Sequence, residues 1–452
     1  MKLVSTRPPF TEVTLRRAVL DDPAPNGVLY QPTELPRLAP QELEEIVGWP
    51  YPRLAEHLAL RAFGPALSDD VIRRISESAF DFPLPVVQLD PATWILELFH
   101  GPTGSFKDFG ARFLARLLSE LRSPEEGPIL ILVATSGDTG GAVAHAVHGL
   151  PGVRAVVLFP RNRLSEVQRR QIQEPATWDN EPDAGVIPVE IDGTFDDCQR
   201  MVKDILARPG LGIETTLTSA NSVNVGRLVP QTFYYVYGWS SLPGDAREGV
   251  TVSVPSGNLG NLTAGVLAAE MGVPFGTFVA ASNVNAAMKH FYQTGALTDE
   301  PSVQTVSSAM DVARPSNLER LLVVYGQDVS ALRARILATR HEDAAVLAAM
   351  DRVLRERGYL MDPHTAVGYL GLEAARSKGG PGPGLLLSTA DPAKFPDTVQ
   401  RATGQSPDER PDWSERGDWD VGSPLRRAAE EATVRLGPNP HELREFLVAE
   451  AR

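Results

Sequence analysis

A single lysine lies in a run of small, turn-forming residues, His100-Gly101-Pro102-Thr103-Gly104-Ser105-Phe106-Lys107-Asp108-Phe109-Gly110. Phe109, Phe113, Leu114, Leu117, Leu118 and Leu121 then recur at helical spacing, so an amphipathic helix is expected after the turn. Ser105 and Asp108 have the S-x-x-D spacing of a capping box, which puts Lys107 in the first helical turn. An ammonium is disfavoured at the positive end of a helix dipole, so the pKa of Lys107 is expected to fall. A lysine held neutral is a nucleophile toward carbonyl carbon, the chemistry of Schiff-base formation. Taken alone, the segment would equally suit an ordinary surface lysine.

Two later segments change the balance. Ile129 to Ala134 is an apolar run followed by Thr135-Ser136-Gly137-Asp138-Thr139-Gly140-Gly141 and a small-residue helix start. Val250 to Pro255 is followed by Ser256-Gly257-Asn258-Leu259-Gly260-Asn261 and the apolar Leu262 to Leu267. Both read as strand, polar loop, helix. Glycines let backbone N–H groups converge, and a helix N-terminus adds partial positive charge, so such a loop binds phosphate without an arginine. Neither loop matches the G-x-G-x-x-G or G-x-x-x-x-G-K-[ST] pattern, which counts against a nucleotide. A carbonyl-seeking lysine beside phosphate-binding loops points to pyridoxal phosphate.

Further motifs follow in order along the chain. They are Pro25-Asn26-Gly27-Val28-Leu29-Tyr30, Phe99 to Gly110, Ala134 to Gly141, Gly193 to Gln199 and Thr218 to Asn224. Pro255 to Asn261, Ala309 to Val312, Pro315 to Arg320, Pro363 to Gly368 and Leu387 to Ala390 complete the series. From Tyr30 to Ala390 this series resembles the threonine synthase family, pyridoxal-phosphate enzymes of the tryptophan synthase β fold type. Three departures stand out. Gly104-Ser105 replaces a more usual Leu-Ala, and Arg161-Asn162-Arg163-Leu164-Ser165 is a variant of a "KGRVS" segment. Asp391 stands where the family generally has histidine, an anion in place of a possible cation near the expected cofactor.

The resemblance implies an α/β protein of fold type II, with two parallel-sheet domains, the cofactor between them, and an N-terminal subdomain. It implies conversion of O-phospho-L-homoserine and water into L-threonine and phosphate, the last step of threonine biosynthesis. Lys107 would carry pyridoxal 5'-phosphate and act as general base at Cα. Gly257, Asn258, Leu259, Gly260 and Asn261 would cradle the cofactor phosphate, and Thr389 would lie near the pyridine nitrogen. Ser136, Gly137, Asp138 and Thr139 would face the substrate carboxylate and the ring. Asn221, Ser222 and Arg227 would grip the substrate phosphate; a salt-bridged arginine is the plain alternative for the last. Two activities of similar fold stay open: a phospholyase releasing 2-oxobutyrate, and a dehydratase acting on unphosphorylated serine or threonine. A non-catalytic homologue is a third possibility, opposed by the intact Lys107 and phosphate loop.

Composition agrees with an enzyme. The 452 residues, 42% hydrophobic with 38 Gly and 38 Pro, suffice for two or three loop-rich domains with a large core. A net charge of −14 argues against nucleic acid or an anionic membrane as partner. No apolar run is long enough to span a bilayer, and the N-terminus lacks a signal-peptide apolar region. The one cysteine, Cys198, excludes an internal disulfide and suits the cytoplasm; Asp196 and Asp197 beside it should raise its pKa. The expected state is a monomer or homodimer.

Alternating strands and helices argue for parallel sheets, with strands at Ile129–Ala134, Val153–Phe159, Val186–Ile191, Val250–Val254, Phe275–Ala280 and Leu385–Ser388. The expected division is a covering N-terminal subdomain over 1–95, a large cofactor domain from 96–127 and 231–452, and a small mobile domain over 128–230. Gly379 to Gly384 reads as a loop, and the end of the chain as an amphipathic packing helix with Leu443, Phe446 and Leu447. No metal site is expected: there is no H-E-x-x-H and no cysteine pair, and His145 and His148 lack a third ligand. Ser256 lacks the G-x-S-x-G elbow of a serine hydrolase.

Overall fold

The computed structural model describes residues 2–21, 27–123, 125, 127–178, 185–207, 215–297, 300–379, 382–407 and 424–450. Pro25 and Asn26 of the first motif, and Gly380 and Pro381 of the glycine-proline loop, lie outside the described residues. Three sheets organise the chain. The first is antiparallel, with β1 (Lys2–Ser5) between β2 (Glu12–Val13) and β3 (Tyr30–Glu34). The second holds β4 (Val86–Asp90), β5 (Thr93–Glu97), β10 (Thr251–Pro255), β11 (Phe278–Ser282), β12 (Ile336–Arg340) and β13 (Gly384–Ser388), in the order β12-β11-β10-β13-β5-β4. The third holds β6 (Ile129–Ala134), β7 (Val153–Pro160), β8 (Gly185–Ile191), β9 (Thr216–Ser219) and β14 (Val434–Leu436), in the order β14-β8-β7-β6-β9.

Every pairing in the third sheet is parallel, and in the second only β4 runs antiparallel to its neighbour. Parallel strands are covered on both faces, which is why β6 can be apolar throughout. Ile129, Ile131 and Val133 face the main core, whereas Leu130, Leu132 and Ala134 face a second core with Cys198, Met201 and Ile205. Burial pushes the Cys198 thiol up to about 12, with Asp197 adding to it, so it is an inert packing residue.

Two of the expected boundaries move. β4 and the start of β5 lie within 1–95, yet they form the edge of the six-stranded sheet rather than a cover over it. At the other end, β14 pairs with β8, and the helix Pro440–Glu450 buries Leu443 and Leu447 against Cys198 and Met201. The C-terminal segment therefore completes the smaller sheet, not the larger one. Strands β4, β5, β9, β12 and β14 are not among those expected from the sequence.

The loops after β6, β9, β10 and β13 leave the carboxyl ends of both parallel sheets, the position where open α/β sheets bind ligands. A backbone seam joins the lysine turn to the end of β13: Phe106 N–H donates to Thr389 O at 3.0 Å and Asp391 N–H to Gly104 O at 3.0 Å. Ser105 and Ala390 form the bridge between these two bonds.

Candidate active site

The helix Lys107–Leu121 begins at the lysine, as the pattern predicts, but not by the expected cap. Ser105 and Asp108 form no capping box: the Ser105 hydroxyl accepts from Lys107 N–H at 3.4 Å, while Thr103 donates from its backbone N–H and hydroxyl to Asp108, at 2.9 and 2.7 Å. The Asp108 carboxylate thus closes the turn from inside, and burial raises its pKa. Gly101 is required because a Cβ there would lie 2.8 Å from the Asp108 Cβ.

Lys107 is almost wholly enclosed, its Nζ 3.3 Å from Asp138 Oδ2. Its pKa falls as expected, but mainly through burial, with the cations Lys394 and Arg227 assisting and Asp138 opposing. The helix dipole is not needed to account for the shift.

Asp138 starts the helix Asp138–Val147 directly after β6 and its loop. Its Oδ1 accepts from Gln168 Nε2 at 2.9 Å and faces Lys394 Nζ at 3.0 Å. Burial alone would favour the acid, but Lys394 and Lys107 hold Asp138 well below the usual carboxylate range. Gln168 is itself fixed by a capping box with Ser165, the last residue of the variant Arg161–Ser165 segment. Gly137 sits at φ 135° against the Gln168 side chain, where no other residue would fit. The Thr135 hydroxyl gathers the loop, accepting from the N–H groups of Gly137 and Gly140 at 2.9 and 2.8 Å.

The second loop is built from backbone. Leu259 takes the left-handed φ of 61° so that the helix Gly260–Glu270 can start immediately. A Cβ on Gly257 would lie 2.8 Å from Met310 Cα, and one on Gly260 would lie 3.2 Å from Ser222 Cβ. Asn258 Nδ2 donates to Ser222 Oγ at 2.5 Å, and Asn317 Nδ2 to Asn258 O at 3.1 Å. Buried Arg320 donates to the carbonyls of Tyr30, Ser222 and Val223, tying the N-terminal motif to the Asn221–Val223 loop. Asn261 Oδ1 accepts from Tyr234 and Tyr235, both at 2.7 Å, leaving its buried Nδ2 without a partner.

Arg227 is 3% exposed, and burial lowers its pKa to about 10. It donates to Ala220 O at 2.5 Å, yet its Nε has no partner and no carboxylate lies within ion-pairing distance among the described residues. A buried guanidinium without a counter-ion is costly, which marks a place for an anion.

The site opens on one cavity of about 1730 Å³. Lys107, Ser136, Asp138, Thr139 and Thr389 line it, as do Asn221, Ser222, Arg227 and the loop Gly257 to Asn261. Gly137 does not line it; it lies behind, against Gln168. Asp391 does not line it either, and its carboxylate caps the short turn Pro392–Lys394 by accepting from Ala393 N–H at 2.9 Å. A buried cation near Lys107 is instead Lys394, three residues past Asp391. Buried His364 also faces the cavity: its Nε2 accepts from Ala309 N–H at 3.2 Å, so Nδ1 donates to Asp362 at 2.7 Å. Among the described residues no cluster could hold a metal ion, and His145 and His148 pack edge-on against Trp178.

The site has the parts pyridoxal phosphate needs: an enclosed lysine of lowered pKa, a glycine cradle, and buried donors without partners. The protein-family model for pyridoxal-phosphate dependent enzymes matches residues 81–389. Models for the threonine synthase N terminus and C-terminal region match residues 2–80 and 365–416. Threonine synthase of Escherichia coli is 36% identical over 419 residues, covering 92% of this chain and 95% of its own length. That of Serratia marcescens is 36% identical, covering 90% and 91%. The solved threonine synthase structure from E. coli aligns with a TM-score of 0.88 at 34% identity, covering 99% of this chain and 100% of that one. The pyridoxal-phosphate-bound threonine synthase from Brucella melitensis gives 0.86 at 31% identity, covering all of both chains.

Proposed function

The chain belongs to the threonine synthase family and is a pyridoxal-phosphate-dependent lyase, and on that premise we propose that it converts O-phospho-L-homoserine and water into L-threonine and phosphate. The observation that carries the substrate assignment is Arg227, a buried guanidinium on the same cavity as Lys107, whose Nε has no partner and which has no carboxylate in ion-pairing distance among the described residues. A dianion inside a protein of net charge −14 needs such a local cation, and an arginine fork suits phosphate best.

Lys107 would hold the cofactor through its aldehyde carbon, and the Gly257–Asn261 loop would hold the cofactor's phosphate. When bound, the cofactor supplies an electron sink for the carbanion at Cα. The Lys107 amine would take the Cα proton and return protons to the substrate carbons, a role typically worth ~10²–10⁴-fold. Asn221, Ser222 and Arg227 bind and orient the departing phosphate. Thr389 offers the ring a neutral hydroxyl rather than a carboxylate. Ser136 and Thr139, beside the helix start at Asp138, suit the substrate carboxylate. Closure of the smaller sheet over the larger one, driven by the gripped phosphate, would exclude water other than the reacting molecule.

No helix among the described residues is long and apolar enough to cross a membrane. A cytoplasmic monomer or homodimer is the setting we propose.

Purified protein given O-phospho-L-homoserine should release threonine and phosphate in nearly equal amounts, with 2-oxobutyrate a minor product. Amino-acid analysis and a keto-acid assay on one mixture decide it: mostly 2-oxobutyrate would make the protein a phospholyase. Borohydride should fix the cofactor to Lys107; an adduct on Lys203 or Lys289 would move the site.

A further inference from the structure

Two lysines share one carboxylate in the heart of this protein. Asp138 presents Oδ2 to Lys107 at 3.3 Å and Oδ1 to Lys394 at 3.0 Å. Lys394 is fully buried and spans the two large sheets. Its Nζ donates to Thr103 O at 2.7 Å, in the lysine turn, and to Gln171 Oε1 at 2.8 Å, on the helix Glu166–Gln173 of the smaller sheet. Gln171 in turn donates to Thr103 O at 3.1 Å. An ammonium has three donors, and those of Lys394 are matched by three acceptors, so its charge is held at a fixed point.

The charges on Lys107 come from several elements. Asp138 faces it from the helix after β6, Lys394 from the turn after β13, and Arg227 from the helix Val225–Leu228. Beyond them, Asp108 is influenced by Lys394, and His364 acts on Asp138. With Lys394 removed, Asp138 would keep Lys107 as its one ion-pair partner among the described residues. A buried carboxylate given one ammonium at this distance favours the charged amine strongly.

We propose that Lys394 is a positioning residue that shares Asp138 with Lys107 and so keeps Lys107 available as the free amine that attacks the cofactor's aldehyde. The attack forms the carbon–nitrogen double bond and releases one water, with no change in oxidation state. Lys394 does not line the cavity; it acts through Asp138. This rests on the reading that Lys107 carries the cofactor, which mapping of the borohydride-reduced peptide tests separately.

The test is the rate at which the full chain, stripped of cofactor, captures added pyridoxal 5'-phosphate between pH 6.5 and 9.5, followed by absorbance. Lys394→Gln keeps a donor and removes the charge. Capture at neutral pH should slow by about tenfold or more, the gap closing as pH rises and Lys107 deprotonates. Lys394→Arg should restore much of the wild-type profile. Asp138→Asn should move the profile to lower pH, and Asp138→Asn with Lys394→Gln should return it toward wild type, which a purely structural role for Lys394 would not do. A folded Lys394→Gln protein whose profile superimposes on the wild type overturns the proposal. If that variant does not fold, an unmoved Asp138→Asn profile overturns it instead. An adduct on a lysine other than Lys107 refutes the cofactor assignment, whatever the profiles do.

Discussion

The loops after β6 and β10 begin alike, as a strand running into glycines and a helix, but they are built on different principles. The Ser256–Leu259 loop is shaped by backbone packing: Gly257 lies against Met310, Leu259 takes a left-handed turn, and the helix starts at Gly260. The Thr135–Gly137 loop is shaped by side chains, with Thr135 gathering the N–H groups and Gln168 and Lys394 fixing Asp138. A backbone cradle tolerates no added atom where it abuts main chain, as Gly257 does. A side-chain hub tolerates small changes at any one contact because several contacts share the task. The cradle should therefore be brittle and the hub graded.

The largest effect is expected at Gly257. Val at this position would press its side chain on the main chain of Met310, which has no rotamer to move into. Cofactor affinity should fall by more than about 100-fold, equivalent to about 3 kcal/mol or more, while circular dichroism stays near wild type. Gly260→Ala should lose much less, because its added Cβ meets the Ser222 side chain at 3.2 Å and the end of Asn317 at 3.3 Å. Equal losses at both positions, measured by equilibrium dialysis of the cofactor, would mean that the loop is not a backbone cradle.

Arg227 comes next, between the two loops. Arg227→Ala should lower kcat/KM for O-phospho-L-homoserine by about 10²–10³-fold, the range for deleting one preorganised charge donor. The absorbance of bound cofactor should not change. Arg227→Lys should recover part of the loss, since a point charge replaces a planar fork. Unaltered kinetics in Arg227→Ala would take the residue out of the substrate site.

This contrast also explains what could be read from sequence. The Gly257–Asn261 loop and the helix that starts at Lys107 are legible because the strand-loop-helix and helical patterns are local in the chain. The six apolar strands were legible for the same reason, through continuous burial in parallel sheets. Lys394 was not, because its importance comes from a carboxylate far earlier in the chain and on the other sheet. Asp391 stands out instead, because its charge departs from the family pattern, yet it caps a short turn and does not line the cavity. The S-x-x-D spacing suggests a capping box for Asp108, but the partner of its carboxylate is Thr103 upstream, not Ser105. The placement of β14 was illegible because a three-residue strand takes its meaning only from β8 beside it.

The smallest effect is expected at Gln168, and it tests the graded half of the contrast. Gln168 has two duties: its Oε1 accepts from Ser165 N–H at 3.2 Å, and its Nε2 donates to Asp138 at 2.9 Å. Gln168→Leu removes both at similar volume. The lost capping contact should cost about 1 kcal/mol of stability, read as a lower urea midpoint with unchanged slope. The lost donor to a charged oxygen is worth about 1.5–3 kcal/mol in general, but Lys394 and Lys107 still face the same carboxylate. The fall in kcat/KM should therefore stay near tenfold, well short of the loss at Gly257. Gln168→Glu should be worse than Leu, because it sets a second carboxylate beside Asp138, and the site would then take up a proton or disorder. A Gln168→Leu enzyme as inactive as Gly257→Val would show that Asp138 depends on one contact, and the difference between the two loops would disappear.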